Sequence, residues 1–276
     1  MHGSGLHSTR QGGLSTRAVM RRLALVLALS ACSTVQLNGE FSGGKEAAEI
    51  AELEDRRSLG DGRLVLLALT ANDPAVRARG LLALGRIQDP TTAEAIVKGL
   101  SDPDVTARAT AAFGVGLFGL SWQPLTPEVK ATLTTALLAA DDEEDQLSVK
   151  LALIDAMGRV ATADALTRLV DRLGHPLPEV RAHAGTALGV AVKALKAQLP
   201  AKAFEVLPTL LRPDSTQAVR VGAAYGLAMS KDPASRAGLL TCAKDESAQL
   251  IGSPVPHGSP PPESGRVVKG RETSAL

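Results

Sequence analysis

Gly114, Gly116 and Gly119 have the G-x-G-x-x-G spacing that receives a dinucleotide pyrophosphate when it follows a strand and opens a helix. The residues before them, 105–113, are an apolar run of helical period. The glycines therefore close a helix and are read as packing residues. Residues 141–145 are five consecutive acids and could draw a cation. Calcium binding needs oxygen ligands spaced around a turn with a glycine, which this run lacks, so a solvated loop is expected. His175, His183 and His257 have no second His or Cys at ligand spacing, and no Ser, His and acid share a triad signature. Trp122, on a long connection, would either anchor a partner or fold back over the stack. No cofactor or metal is expected, and the chain is read as a non-enzyme. The remaining pattern is basic: Arg77, Arg79, Arg108, Lys150, Arg181 and Arg220 recur in five similar blocks.

Those blocks start at Val76, Val105, Val149, Val180 and Val219. Seven residues on comes a small residue (Ala83, Ala112, Ala156, Ala187, Gly226), and eight on a large apolar one (Leu84, Phe113, Met157, Leu188, Leu227). Nine on comes Gly85, Gly114, Gly158, Gly189 or Ala228. Positions 0, 4, 7 and 8 make one stripe of a helix and do not alternate as a strand would. Between the blocks lie partner segments opening near Arg63, Ala93, Val129, Ala165 and Ala203, each with its own apolar stripe. Asp73-Pro74, Asp102-Pro103 and Asp232-Pro233 read as an N-cap acid before a proline in the first helical position. The expected fold is all-α: an α-α superhelix of about five helix pairs, stable only by stacking. One residue after each Val stand Arg77, Thr106, Lys150, Arg181 and Arg220; three after stand Arg79, Arg108, Ala152, His183 and Gly222. This broken basic ridge would either grip an acidic segment of a partner or pair internally with loop acids and carbonyls.

Composition agrees with a helical stack. The 276 residues are 45% apolar but only 2% aromatic, which disfavours a large β-sandwich or barrel. With 30 Lys+Arg against 29 Asp+Glu, the chain lacks the basic excess that phosphate neutralisation requires, so no nucleic-acid partner is expected.

The N-terminus reads as an address. Arg21-Arg22 precede seven apolar residues and Ser30-Ala31-Cys32, a run far short of the about 20 residues needed to span a bilayer. This resembles a bacterial lipoprotein signal. The resemblance implies cleavage before Cys32, acylation of Cys32, and residence in the cell envelope, with the periplasmic face of the outer membrane favoured by Ser33. Residues 1–31 would be the signal peptide, with Met20 the expected start and 1–19 not translated. Residues 32–44 would be a tether, 45–250 the solenoid, and 251–276 a disordered Pro/Gly/Ser-rich tail. The exported part would carry 26 Lys+Arg against 29 Asp+Glu, because Arg10, Arg17, Arg21 and Arg22 leave with the signal. With Cys32 acylated, Cys242 has no partner and reads as a small buried hydrophobe.

Asp73-Pro-Ala-Val76-Arg77 through Ala83-Leu84-Gly85, and Pro178-Glu-Val180-Arg181 through Ala187-Leu188-Gly189, resemble HEAT-like repeats of the phycobilisome-lyase type. The resemblance implies a HEAT-like solenoid and covers about residues 45–245. Together with the export address it implies a membrane-anchored scaffold or adaptor that binds an envelope protein. A bilin-lyase-like enzyme or maturation helper is the alternative.

Overall fold

The computed structural model describes residues 44–121 and 123–252. The segments read as signal peptide and tether (residues 1–31 and 32–44, except Gly44), with Cys32, Trp122, His257 and residues 253–276, lie outside the described residues. Within them the chain forms twelve α-helices and no strand. Helix α1 (Gly44–Asp55) caps the N-terminal end, and five pairs follow. They are α2 (Arg63–Thr70) with α3 (Pro74–Ile87), α4 (Ala93–Lys98) with α5 (Val105–Phe118), and α6 (Pro127–Glu143) with α7 (Leu147–Val160). Then come α8 (Ala163–Arg172) with α9 (Pro178–Leu195), and α10 (Ala201–Leu210) with α11 (Gln217–Ser230). Helix α12 (Ser235–Gly252) packs on α11.

The second helices stack directly on one another in the order α3, α5, α7, α9, α11, while each first helix packs mainly on its own partner. The reason lies in the small side chains. Gly85 of α3 meets Gly114 of α5 so closely that a Cβ on Gly85 would lie 2.6 Å from the Gly114 Cα. A Cβ on Gly222 of α11 would lie 2.2 Å from the Ala182 carbonyl oxygen of α9. The nucleotide-like glycines serve this packing: Gly116 abuts Ala156 of α7, and Gly119 abuts the Arg159 backbone. Large apolar side chains fill the space between the two layers. Leu64 and Leu67 join Leu81 and Leu84, Leu133 and Leu137 join Leu153 and Met157, and Leu169 joins Leu188, all in one continuous core.

The caps reset the register of the second pair. Asp73 caps α3 by accepting the Ala75 N–H at 2.9 Å. The corresponding cap of α5 is Asp104, which accepts from Ala107 at 2.9 Å, not Asp102 of the Asp-Pro pair. Asp232 likewise binds Ala234 in a turn, and α12 begins at Ser235. Counted from the N-cap, Ala107 and not Val105 is the residue equivalent to Val76. Val115 then takes the large apolar place and Gly116 the glycine place, and all three are buried. Phe113 falls on the solvent side, 38% exposed, with the Arg159 guanidinium 5.3 Å from its ring centroid.

Candidate functional site

With that register corrected, Arg77, Arg108, Lys150, Arg181 and Arg220 are each the fourth residue of their helix. A cation there reaches back over the N-terminus to the carbonyls of its own loop. Arg77 Nη1 donates to the carbonyls of Ala71 (2.9 Å) and Asn72 (3.3 Å), and Arg108 Nη1 to those of Asp102 (2.8 Å) and Pro103 (3.2 Å). Arg181 Nη1 donates to His175 and Pro176, both at 2.8 Å. Arg220 Nη1 donates to Pro213 (3.2 Å) and Ser215 (2.9 Å).

The other edge of the guanidinium reaches the next repeat. Arg77 Nε and Nη2 grip Asp102 at 2.7 and 2.8 Å, and Arg108 Nε and Nη2 grip Glu144 at 2.8 and 3.3 Å. Both acids stand two residues before the N-cap of their helix and also receive the N-cap N–H, from Asp104 at 2.9 Å and Gln146 at 2.8 Å. The Arg77 hydrogen bonds outweigh burial and hold the Asp102 carboxyl below its usual range. Burial works against the charge on Glu144, but the Arg108 contacts prevail and lower it too.

The third joint breaks the series. The residue two before the α9 N-cap is His175, whose Nδ1 accepts the Leu177 N–H at 3.1 Å. It keeps the turn but supplies no negative charge. Burial, then the nearby Arg172 and Lys150 charges, depress its pKa. Lys150 instead turns to the Asp141 carbonyl at 2.9 Å. The acidic run is not a solvated loop: residues 141–143 form the last turn of α6, and Asp141 is fully buried. Arg168 and the Arg172 Nε each reach Asp141 Oδ2 at 2.9 Å, while Lys150 Nζ stands 3.8 Å from Oδ1. Arg168 also binds Asp142 at 2.6 Å, and Glu144 belongs to the Arg108 rung. Sequence reasoning missed Arg168 and Arg172; their spacing of four on one face of α8 was the available signal.

Arg79 lies off this edge, on the side of α3 that meets α1, where Glu54 binds both it and Arg86. Thus Arg77, Arg79, Arg108 and Lys150 already face carboxylates of the chain itself. On the same face as Arg79, further along the stack, His183 Nδ1 and Asp155 stand 2.9 Å apart. Burial alone would lower the His183 pKa, but the carboxylate outweighs it and raises it. An open groove of about 500 Å³ runs beside the first rung, lined by Thr70, Asn72, Lys98, Ser101 and Asp102. Cys242 packs half-buried against the core. Among the described residues no group of three or more His, Cys, Asp or Glu could hold a metal, and no helix is long and apolar enough to cross a membrane.

The model of HEAT repeats matches residues 63–150, spanning α2 to the start of α7. The fold is a HEAT-like solenoid. No curated protein matches the chain by sequence. Among solved structures, human deoxyhypusine hydroxylase in complex with glycerol is similar, with 21% identity over 86% of this chain and 90% of that one and a TM-score of 0.36. The HEAT match ends near Lys150, so the solenoid beyond it is defined by the stacking of α7, α9 and α11.

Proposed function

We propose that this solenoid is a non-catalytic protein-binding scaffold, held by a lipid on Cys32 at a bacterial envelope membrane. The observation that carries the scaffold reading is the loop edge, where five consecutive second helices bring a cation to the same helical position, with an open groove beside the first of them. Such an edge can recognise an acidic segment where its cation is not already held by a carboxylate of the chain, as at Arg181. The order Arg21-Arg22, apolar run, Ser30-Ala31-Cys32 supports the anchor, and Ser33 supports sorting to the periplasmic face of the outer membrane. The partner is then another envelope protein, not a nucleic acid.

The test is fractionation combined with metabolic labelling by palmitate in a bacterium with two membranes. The wild-type chain should sediment with membranes and carry label, and Cys32→Ser should lose both. Cross-linking in intact envelopes should then yield one specific partner, lost on reversing charge at Arg77, Arg108 and Arg181 together. A mature protein retaining residues ahead of Cys32, or located in the cytosol, overturns the anchor. A cross-linked partner that survives charge reversal in a folded variant overturns the basic surface as the docking site.

A further inference from the structure

We propose that Arg181 is a pre-set carboxylate receptor, and that its occupant is an acidic side chain flanked by an apolar one on a partner protein. This rests on the scaffold reading and names the chemistry of one contact within it. Two filled copies of the same device show what it holds. In Arg77 and Arg108, Nη1 is tied to the two carbonyls before the N-cap, and the Nε/Nη2 edge takes a carboxylate side-on. Arg181 has the same ties, to the carbonyls of His175 and Pro176, which stand two and one residues before the N-cap Leu177. Its guanidinium is therefore fixed as the other two are. Yet Nε and Nη2 of Arg181 have no acceptor among the described residues.

The reason is local to the next loop. By register the acceptor should be Asp214, two residues before the α11 N-cap Thr216, as Asp102 precedes Asp104 and Glu144 precedes Gln146. That loop is built differently. Arg220 takes the carbonyl three residues before its N-cap, Pro213, in place of the one two before. The Ser215 N–H closes a turn on the Arg212 carbonyl at 3.0 Å. Asp214 is exposed and makes no bond to Arg181 or to the Thr216 N–H.

A planar fork with two parallel N–H groups and no internal acceptor matches a carboxylate in geometry and charge. Because its other nitrogen is already anchored, little side-chain freedom is lost on capture. Two leucines stand exposed at this edge: Leu177 at the cap of α9 (44% exposed) and Leu147 at the start of α7 (37%). An acid with an apolar neighbour therefore fits better than a bare polyanion.

The probe is a labelled peptide of repeated Glu-Glu-Leu, with Lys-Lys-Leu as control, titrated into the full chain by fluorescence anisotropy. Arginine Nε–Hε resonances are followed in parallel. The acidic peptide should bind and shift the Arg181 resonance, leaving those of Arg77 and Arg108 in place. Arg181→Gln should weaken binding by about tenfold or more, and Arg181→Lys, which keeps the charge but not the fork, should also weaken it. Asp214→Asn should change nothing. The inference is overturned if the wild type does not bind the peptide, or if both Arg181 variants bind it unchanged. It is overturned equally if Asp214→Asn moves the Arg181 resonance without peptide, which would put Asp214 in the fork. The scaffold reading is judged separately: an envelope cross-link retained by Arg181→Gln but lost on reversing Arg77 and Arg108 in a variant that still folds sinks this contact alone.

Discussion

At the first two joints of the stack an arginine fork closes on a carboxylate of the following loop; at the fourth, the same residue at the same helical position stands open. The arginines are equivalent in sequence, in register and in their bonds to their own loops. What differs is the neighbour. Asp102 and Glu144 lie in loops whose cap N–H groups orient them toward the preceding repeat, whereas Asp214 follows Pro213 in a loop of another shape. A repeated side chain thus becomes a bolt or an open fork according to the loop one repeat away. The third joint is a separate solution: Lys150 in place of Arg, His175 in place of the acid, and a buried Asp141 gathering the cations.

That comparison can be broken most forcefully at Asp141. Asp141→Ala leaves Arg168, Arg172 and Lys150 without their shared buried charge, and should cost about 3–5 kcal/mol of stability in urea unfolding. A loss below about 1 kcal/mol would show that the third joint does not depend on this cluster. Next come the helix crossings. Gly222→Ala and Gly85→Ala each drive a methyl into the backbone of the adjacent helix, with an expected loss of about 1–3 kcal/mol and a lowered Tm. Equal tolerance at both would mean the stack can spread without penalty.

The rungs themselves give a sharper contrast. Asp102→Asn should destabilise by about 1.5–3 kcal/mol, because a charged, largely buried hydrogen-bonding pair is lost, while Asp214→Asn should stay within about 0.5 kcal/mol. Chemical denaturation of the two variants decides it. The smallest effect is the pH dependence. Asp102 and Glu144 have folded pKa values below their ordinary ones, so the stability they contribute is present at neutral pH. It is lost as pH falls below the unfolded values of about 4 and through the lowered folded ones. The Asp102→Asn, Glu144→Gln double variant should flatten that acid limb. An unchanged limb would assign it to other carboxylates.

Much of the fold could be read from residue types. The 3.6-residue stripes in ten segments announced paired helices, and Asp73-Pro74 marked a helix start at the right residue. The second block was read two residues early because Val105, Phe113 and Gly114 imitate the Val, large-apolar and Gly places. Only the cap bond from Ala107 to Asp104 shows that Ala107, Val115 and Gly116 hold them. The error hid the main regularity of the candidate site, since Arg108 then seemed to belong with Arg79. The acids at 141–145 misled for a related reason: charge density suggests solvent, but partners on α8, some 27 residues away, decide how deep Asp141 sits.

By itself the sequence determined that helices would form, pair and stack, because helical period, capping acids and small residues act within a few neighbours along the chain. The tertiary structure alone decided which arginine is satisfied. A guanidinium's partner is set by where the next loop places its oxygens, and that placement follows from a turn in a different repeat.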